Sequence, residues 1–370
     1  MTSRHPRAGG RWLAGLGVVL LLTGCDLGYY LHLARGQADI IRRCQPLEEV
    51  LARADLSDST ARGLALVREV RQYALLRIGL SASKNYTCFY DTGDRPVCWN
   101  VSACQPDRFE PYQWGFPVIG RVPYKGFFDL ERARRERDRL RDLGYDALLR
   151  PVIAYSTLGY FSDPVLSDML QLPEDALADL LIHELTHATI YVREHTDFNE
   201  SLATFVGDTG SLDFLAERHG AESDAVERAR GRRRDAALFA AYMNGVVASL
   251  DSLYSGGQSR EAILAQRQLV FEAAKERYRN LRGELVEPGR YDGYLEWEVN
   301  NARLLSYRRY HRDLGLFEQL WESRGRDLGA MVAGAALCER AGDPWECVRQ
   351  QVADAGGHPR EPAAPLPAQP

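Results

Sequence analysis

His183, Glu184 and His187 form the pattern His-Glu-x-x-His inside Leu181–Ala188, and Glu200 follows in the run Phe198-Asn199-Glu200-Ser201-Leu202-Ala203. On a helix, positions i and i+4 project from one face, one turn apart. His183 and His187 would then offer two neutral imidazoles to one tetrahedral ion, the geometry zinc prefers. Glu184 is rotated aside from them, where a carboxylate can hold a water at the metal and take its proton. The mechanics of such a pattern are those of a metalloprotease. The competing reading is two histidines on a solvated helix face, and the uncharged, apolar flank argues against it.

The surrounding residues support a helix. Pro173 suits a first helical position, because its missing N–H would be unpaired there anyway. Glu174 and Asp175 follow, where negative charge complements the helix dipole. Leu177, Leu181, Leu185, Ala188 and Val192 make an apolar stripe toward a core, and the histidines lie off that stripe.

For a third ligand the chain offers His195, Asp197, Glu200 and Asp208. His195 does not fit the spacing His-Glu-x-x-His-x-x-Gly-x-x-His, whose glycine is also missing. A turn over Val192–Asp197, with a fresh helix near Phe198, would return Glu200 to the level of His187 if the two helices pack antiparallel. A rival role exists for the same residue. Asp197-Phe198-Asn199-Glu200 has the form of a capping box, in which Glu200 would reach back to the Asp197 backbone.

The chain has 370 residues, 45% of them hydrophobic, with a formal net charge of -5. That length suits one large domain or two modest ones with a substantial core. Residues 1–24 read as a signal peptide: Arg4, Arg7 and Arg11 precede a short apolar run, Trp12–Leu22, and then Leu22-Thr23-Gly24-Cys25. The run is too short to span a bilayer as a helix. It resembles a bacterial lipoprotein signal, which implies lipidation of Cys25 and a bacterial cell-envelope protein, anchored to a membrane and facing the periplasm or exterior. Loss of three arginines and no acids would take the net charge from -5 to -8. An acidic exported chain argues against nucleic acid as a partner.

Six cysteines remain, and an exported chain permits disulfides. Cys338 with Cys347 is the expected local pair, and one pairing among Cys88, Cys98 and Cys104 is expected besides.

Gly28–Leu80 reads as a helical hairpin, within an N-terminal segment over 25–82. Tyr86–Val122 reads as short antiparallel strands, and Asp129–Leu143 as a charged amphipathic helix. Ala147–Tyr155 reads as a strand. Ser156, Thr157 and Gly159 after it are candidates for a sheet edge that pairs with an extended peptide. Gly231-Arg232-Arg233-Arg234 reads as a solvated bend, and Asn300–Leu305 opens a helix carrying Tyr307 and Tyr310. Residues 83–352 would form the catalytic domain, and 353–370 a disordered tail.

Several runs together resemble a known family: Gly28-Tyr29-Tyr30, Trp99-Asn100-Val101, Trp114-Gly115-Phe116-Pro117, Tyr124–Phe128, Tyr155–Gly159, His183–His187, Phe198–Phe205 and Asn300-Asn301-Ala302. They are similar to the bacterial predicted aminopeptidases with a zincin-like core, which are often lipoproteins. The resemblance implies an α+β, zincin-like fold, helix-rich, with a small mixed or antiparallel sheet beside the metal helix. It also favours Glu200 as the third ligand, since Asn199-Glu200 resembles the step that supplies the glutamate in gluzincin aminopeptidases.

The expected reaction is hydrolysis of a peptide substrate by zinc-activated water, with His183, His187 and Glu200 as ligands and Glu184 as general base. Tyr310, with Tyr307 next, is the candidate donor to the oxyanion. An aminopeptidase also needs an acid to meet the substrate ammonium, and Asp163, Asp197 and Glu298 are the carboxylates considered. A zinc amidase acting on cell-wall peptides, or a non-catalytic metal-binding lipoprotein, is the alternative.

Overall fold

Residues 24–81, 83–93, 95–116, 120–152, 162–310 and 314–356 are described from a computed structural model, with backbone alone at 24–26 and 307–310. Among the described residues the chain is helix-rich with three small sheets, an α+β arrangement. Helix α1 spans Gly24–Arg43, α2 Leu47–Leu51 and α3 Asp58–Tyr73. Ser57 starts α3 by accepting from the Thr60 N–H, and a left-handed Gly79 stops the π-turn that follows it. The segment is helical as expected, but a two-residue strand, β1 (Gln45–Pro46), interrupts it and pairs with β2 (Cys88–Tyr90).

The main sheet is antiparallel. Strand β3 (Cys98–Cys104) lies between β6 (Tyr124–Phe127) and β7 (Asp146–Val152). Strands β4 (Trp114–Phe116) and β5 (Gly120–Val122) form a separate pair, and β8 (Val165–Leu166) runs parallel to β2. Helix α4 (Leu130–Asp142) is capped by Asp129 and covers the main sheet with Ala133 and Leu140, while Arg134 stays exposed beside Glu131.

This pairing corrects one cysteine expectation. Cys88 bonds to Cys44, because β1 lies against β2 and brings their Cα atoms to 5.7 Å. Cys98 and Cys104 sit at opposite ends of β3, six residues apart. A strand of that length holds its ends roughly 20 Å apart, far beyond disulfide reach. Both are buried thiols, and burial pushes the Cys98 thiol up to about 12. The Cys338–Cys347 bond is present as expected.

The second half is helical. Helices α5 (Glu174–Thr189) and α6 (Thr196–His219) form a hairpin, followed by α7 (Asp224–Tyr254), α8 (Arg260–Arg282), α9 (Asn301–Tyr310), α10 (Leu314–Ser323), α11 (Leu328–Ala336) and α12 (Pro344–Asp354). The largest core joins Leu64, Val67 and Val70 of α3 to Leu177, Leu181 and Leu185 of α5. Phe198, Leu202 and Val206 of α6 and Phe317 of α10 complete it. Each such side chain contributes about 1.5–3 kcal/mol on burial, which fixes the helix pair that carries the site.

The Gly231–Arg234 run is not a bend. Helix α7 passes through it unbroken, and Arg232 is drawn into ion pairs with Asp175 at 2.5 Å and Glu287 at 3.1 Å. The same helix is long and apolar enough to cross a membrane by length and composition. Its apolar side chains Phe239, Met243 and Leu250 instead form a core with Phe271 and Tyr278 of α8, so it serves as a core helix.

Candidate metal centre

Helix α5 begins one residue later than Pro173, which stands as its N-cap with extended ψ. The first-turn acids do more than complement the dipole. Glu174 meets Arg218 and His219 at the far end of α6, each at 2.9 Å, and Asp175 holds Arg232 of α7. These contacts set α5 and α6 antiparallel, so the end of α5 that carries His187 faces the start of α6.

The turn between them is pinned by Asn199. Its side-chain oxygen accepts from the Val192 N–H at 2.9 Å, and its amide nitrogen donates to the Val192 carbonyl at 2.8 Å. Val192 is buried, so its N–H would otherwise be unpaired, while its carbonyl also accepts from the His195 N–H at 3.3 Å. Farther along, α6 approaches α5 closely through glycine. A Cβ on Gly207 would lie 3.0 Å from the Asp179 carbonyl oxygen and 3.2 Å from His183 Cβ, and one on Gly210 would lie 3.2 Å from Ile182 Cδ1. No larger residue lets the helices meet there.

The result is a triangle of donor atoms. His183 Nε2 and His187 Nε2 are 3.1 Å apart, and Glu200 Oε2 lies 3.5 Å from the first and 3.6 Å from the second. An ion with bonds of about 2.0–2.1 Å in tetrahedral geometry sets its donors roughly 3.3 Å apart, so these residues fit zinc closely. The imidazole planes stand at 85° to each other, so their nitrogen edges converge without stacking. Among the described residues, this is the group of three metal-ligating side chains that comes together.

The rival capping role for Glu200 is excluded by position. His195 is the N-cap, Asp197 is already inside the helix, and Glu200 is the fifth helical residue. His195 and Asp208 do not join the donors. Asp208 lies two turns beyond Glu200, 4.0 Å from Arg233.

Electrostatics supports a cation-binding cluster. Burial alone would push the Glu200 carboxyl up, but the charge on His187 and hydrogen bonds from both histidines hold it well below the usual range. Burial alone would push His187 down, and the Glu200 charge, a Glu200 hydrogen bond and the nearby Glu184 charge raise it instead. The site therefore attracts positive charge, whether a proton or a metal ion. His187 Nδ1 is buried and has no hydrogen-bond partner, so no acceptor on that side fixes the ring's tautomer or raises the basicity of Nε2. His187 itself is buried and not offset from the core as the stripe implied, because α6 covers that side of α5.

Glu184 is half-buried on α5, three residues before His187, and its charge is felt there. Ser156, Thr157 and Gly159 lie outside the described residues, as do the side chains of Cys25, Tyr307 and Tyr310. Asp163 is consumed elsewhere. It is buried, and its carboxylate accepts from Asn85 at 3.0 Å.

Sequence reasoning assigned no role to Asn199, Gly207 or Asp179. A glycine inside an apolar helix was the readable signal for Gly207. Burial, then the charges of Asp208 and Asp175, push the Asp179 carboxyl well up, and it lies against Gly207.

A cavity of about 550 Å³ opens at the head of α6, between the β4–β5 pair, the α5–α6 turn, α9 and the start of α12, and none of His183, Glu184, His187 or Glu200 lines it.

Residues 28–343 match the model of the "Putative aminopeptidase" family. The chain belongs to this family. No curated protein and no solved structure matches the chain. The matched span contains His183, Glu184, His187 and Glu200, together with Asn199 and Gly207. Membership in the "Putative aminopeptidase" family supports a peptidase-like hydrolase, and the His183, His187 and Glu200 group could hold a metal ion.

Proposed function

We propose that this protein is a membrane-tethered zinc aminopeptidase with a zincin-like catalytic core. The observation that carries the metal reading is the donor triangle, with edges of 3.1, 3.5 and 3.6 Å made by residues from two different helices. Three histidine and glutamate donors leave a tetrahedral ion with one open position, as in catalytic sites and unlike closed structural ones. His183, His187 and Glu200 would hold the ion. When bound, it would polarise a scissile carbonyl and lower the pKa of a water at the open position.

The remaining work falls to the chain. Glu184 borders the ligands without being one of them, so its carboxylate is available to take a proton from the attacking water and return it to the leaving amine. A structural site has no use for such a base, which favours catalysis over a purely binding lipoprotein. Asn199 and Gly207 hold Glu200 and His183 at their spacing. The lipobox ending at Cys25 supports attachment to a bacterial membrane, with the catalytic body outside the cytoplasm.

A mixed peptide library, digested with zinc-loaded protein, with chelated protein and with Glu184→Gln, tests this reading. We expect new amino-terminal residues to be released only by the first. Release that persists after chelation, or in Glu184→Gln, would remove the mechanism.

A further inference from the structure

We infer that the outward face of helix α1 lies on the bilayer surface, as an interfacial helix that holds the main sheet against the membrane. The inference rests on the membrane-tethered part of the proposed function and deepens it.

One side of α1 is committed to the protein. The Tyr29 hydroxyl donates to the Gly126 carbonyl at 2.9 Å, and His32 Nε2 accepts from the Phe128 N–H at 3.1 Å. Leu33 packs against the core of the main sheet, and Ile40 belongs to the largest core. These positions recur every three to four residues and share one face.

The opposite side is apolar as well. At about 100° per residue, Tyr30, Ile41, Ala34, Leu27, Ala38 and Leu31 follow one another around the axis. They fill an arc of roughly 100° that carries no charge, the width of stripe a helix normally turns toward a core. All six are exposed, with 52% of Leu31 and 56% of Ile41 in solvent. Among the described residues, no other element exposes more than two large hydrophobic side chains. A docked helix ordinarily shows water its polar side, so this face is built for an apolar neighbour.

Continuity along the chain names that neighbour. The apolar run Trp12–Leu22 is separated by Thr23 alone from Gly24, where α1 begins, and Cys25 is the second residue of the helix. Whether the run is removed and Cys25 lipidated, or the run stays as an anchor, α1 leaves the membrane with no linker. Leu27 and Leu31 then lie about 3 and 9 Å along the axis from Cys25, and Ile41 about 24 Å. The inner face is fixed on the sheet, so α1 cannot roll over to hide the apolar arc. Nor can it cross the bilayer with protein on that side, so it lies flat, as interfacial helices do.

Charge agrees. Arg35 and Arg42, both exposed, follow Leu31 around the axis and border the arc. From Leu27 to Arg43 there are three arginines against one aspartate, in a chain of net charge -5. That aspartate, Asp39, is paired with Arg42 at 2.6 Å and Arg43 at 3.1 Å. Arginines beside an apolar arc lay their stems along it and present guanidinium groups to anionic headgroups.

The test uses the chain from residue 25 onward with Cys25→Ser, so that no acyl group contributes. It should co-sediment with phosphatidylglycerol vesicles. Leu27→Asp combined with Leu31→Asp should bind at least about tenfold more weakly. Arg35→Ala should bind phosphatidylglycerol about fivefold more weakly, with little change on phosphatidylcholine. Leu264→Asp with Leu269→Asp, on the exposed side of α8, should bind as the wild type does. Thermal melts should match throughout, because every replaced side chain is exposed; if the α1 pair melts early, Arg35→Ala carries the test. No co-sedimentation of the wild type, or undiminished binding in the α1 variants, would overturn the inference. A wild type that is dimeric, fails to sediment with vesicles and becomes monomeric in the α1 pair would assign the face to a second copy and overturn it too.

The mass of the amino-terminal peptide, from full chain extracted from bacterial membranes, reads the tether separately. Vesicle binding through Leu27 and Leu31 without an acyl group on Cys25 keeps the face and removes the lipid tether. An acylated Cys25 without such binding keeps the tether and removes the face.

Discussion

Gly207→Ala should loosen the metal site without touching a ligand. The new Cβ would stand 3.0 Å from the Asp179 carbonyl oxygen and 3.2 Å from His183 Cβ. Asp179 Oδ1, nearer still, can rotate away, but the backbone oxygen and the His183 stem cannot. Ordinary contact begins near 3.4 Å, so α6 must retreat from α5 by about 0.4 Å. Glu200 moves with α6, and both histidines stay on α5. The two edges now at 3.5 and 3.6 Å would then open to roughly 3.9–4.0 Å, wide for zinc. Overpacking costs about 1–3 kcal/mol, against about 1 kcal/mol gained by replacing a helical glycine, so folding should survive. Zinc affinity should fall about tenfold to a hundredfold, the usual effect of disturbing support around ligands. Competition with a coloured chelator reads the affinity, and a thermal melt of the chelated protein reads folding. Gly245→Ala is the control, because its Cβ would meet nothing within 4 Å. It should raise stability by about 0.5–1 kcal/mol and leave zinc binding alone. Wild-type zinc affinity in Gly207→Ala would refute the close-approach reasoning.

Three more outcomes follow from the same contacts. Asn199→Ala strips two hydrogen bonds from the buried Val192 backbone, so it should cost about 1–3 kcal/mol, lower the melting temperature by several degrees and weaken zinc binding. Removing the Cys44–Cys88 bond, with a sequence separation of 44, should destabilise by roughly 4 kcal/mol. Removing Cys338–Cys347, with a separation of 9, should cost only about 2.6 kcal/mol, and denaturant titration of paired alanine variants checks the order. In chelated protein, the raised His187 stabilises below its ordinary value of 6.5 and loses that contribution as pH rises through its folded value. The lowered Glu200 stabilises above its ordinary 4.5 and loses its contribution in acid. Zinc instead needs both groups unprotonated, so the rise in melting temperature on adding zinc should grow from pH 6 to pH 8; a rise independent of pH would count against these ligands.

Much of the site was legible because its signals are local. His183 and His187 lie on one helix, and a 3.6-residue period sets their directions before any tertiary contact is known. The N-cap of α4 at Asp129, the start of α9 near Asn301 and the Cys338–Cys347 bond are equally short-range. What could not be read depended on distant pairing. Cys44 finds Cys88 only because a two-residue strand meets another some forty positions on. Arg232 looked solvated, yet it spans α5, α7 and the Glu287 turn. Glu200 was read as either ligand or cap. Only the actual N-cap, His195, decides between them, and a helix boundary shifted by two residues exchanges those roles.

Metal content by mass spectrometry tests the centre most directly. Wild type and Glu184→Gln, each freed of metal, reloaded with excess zinc and desalted, should retain one zinc per chain, and His187→Ala and Glu200→Ala should retain little. One zinc per chain in His187→Ala, or none in the wild type, would contradict the account.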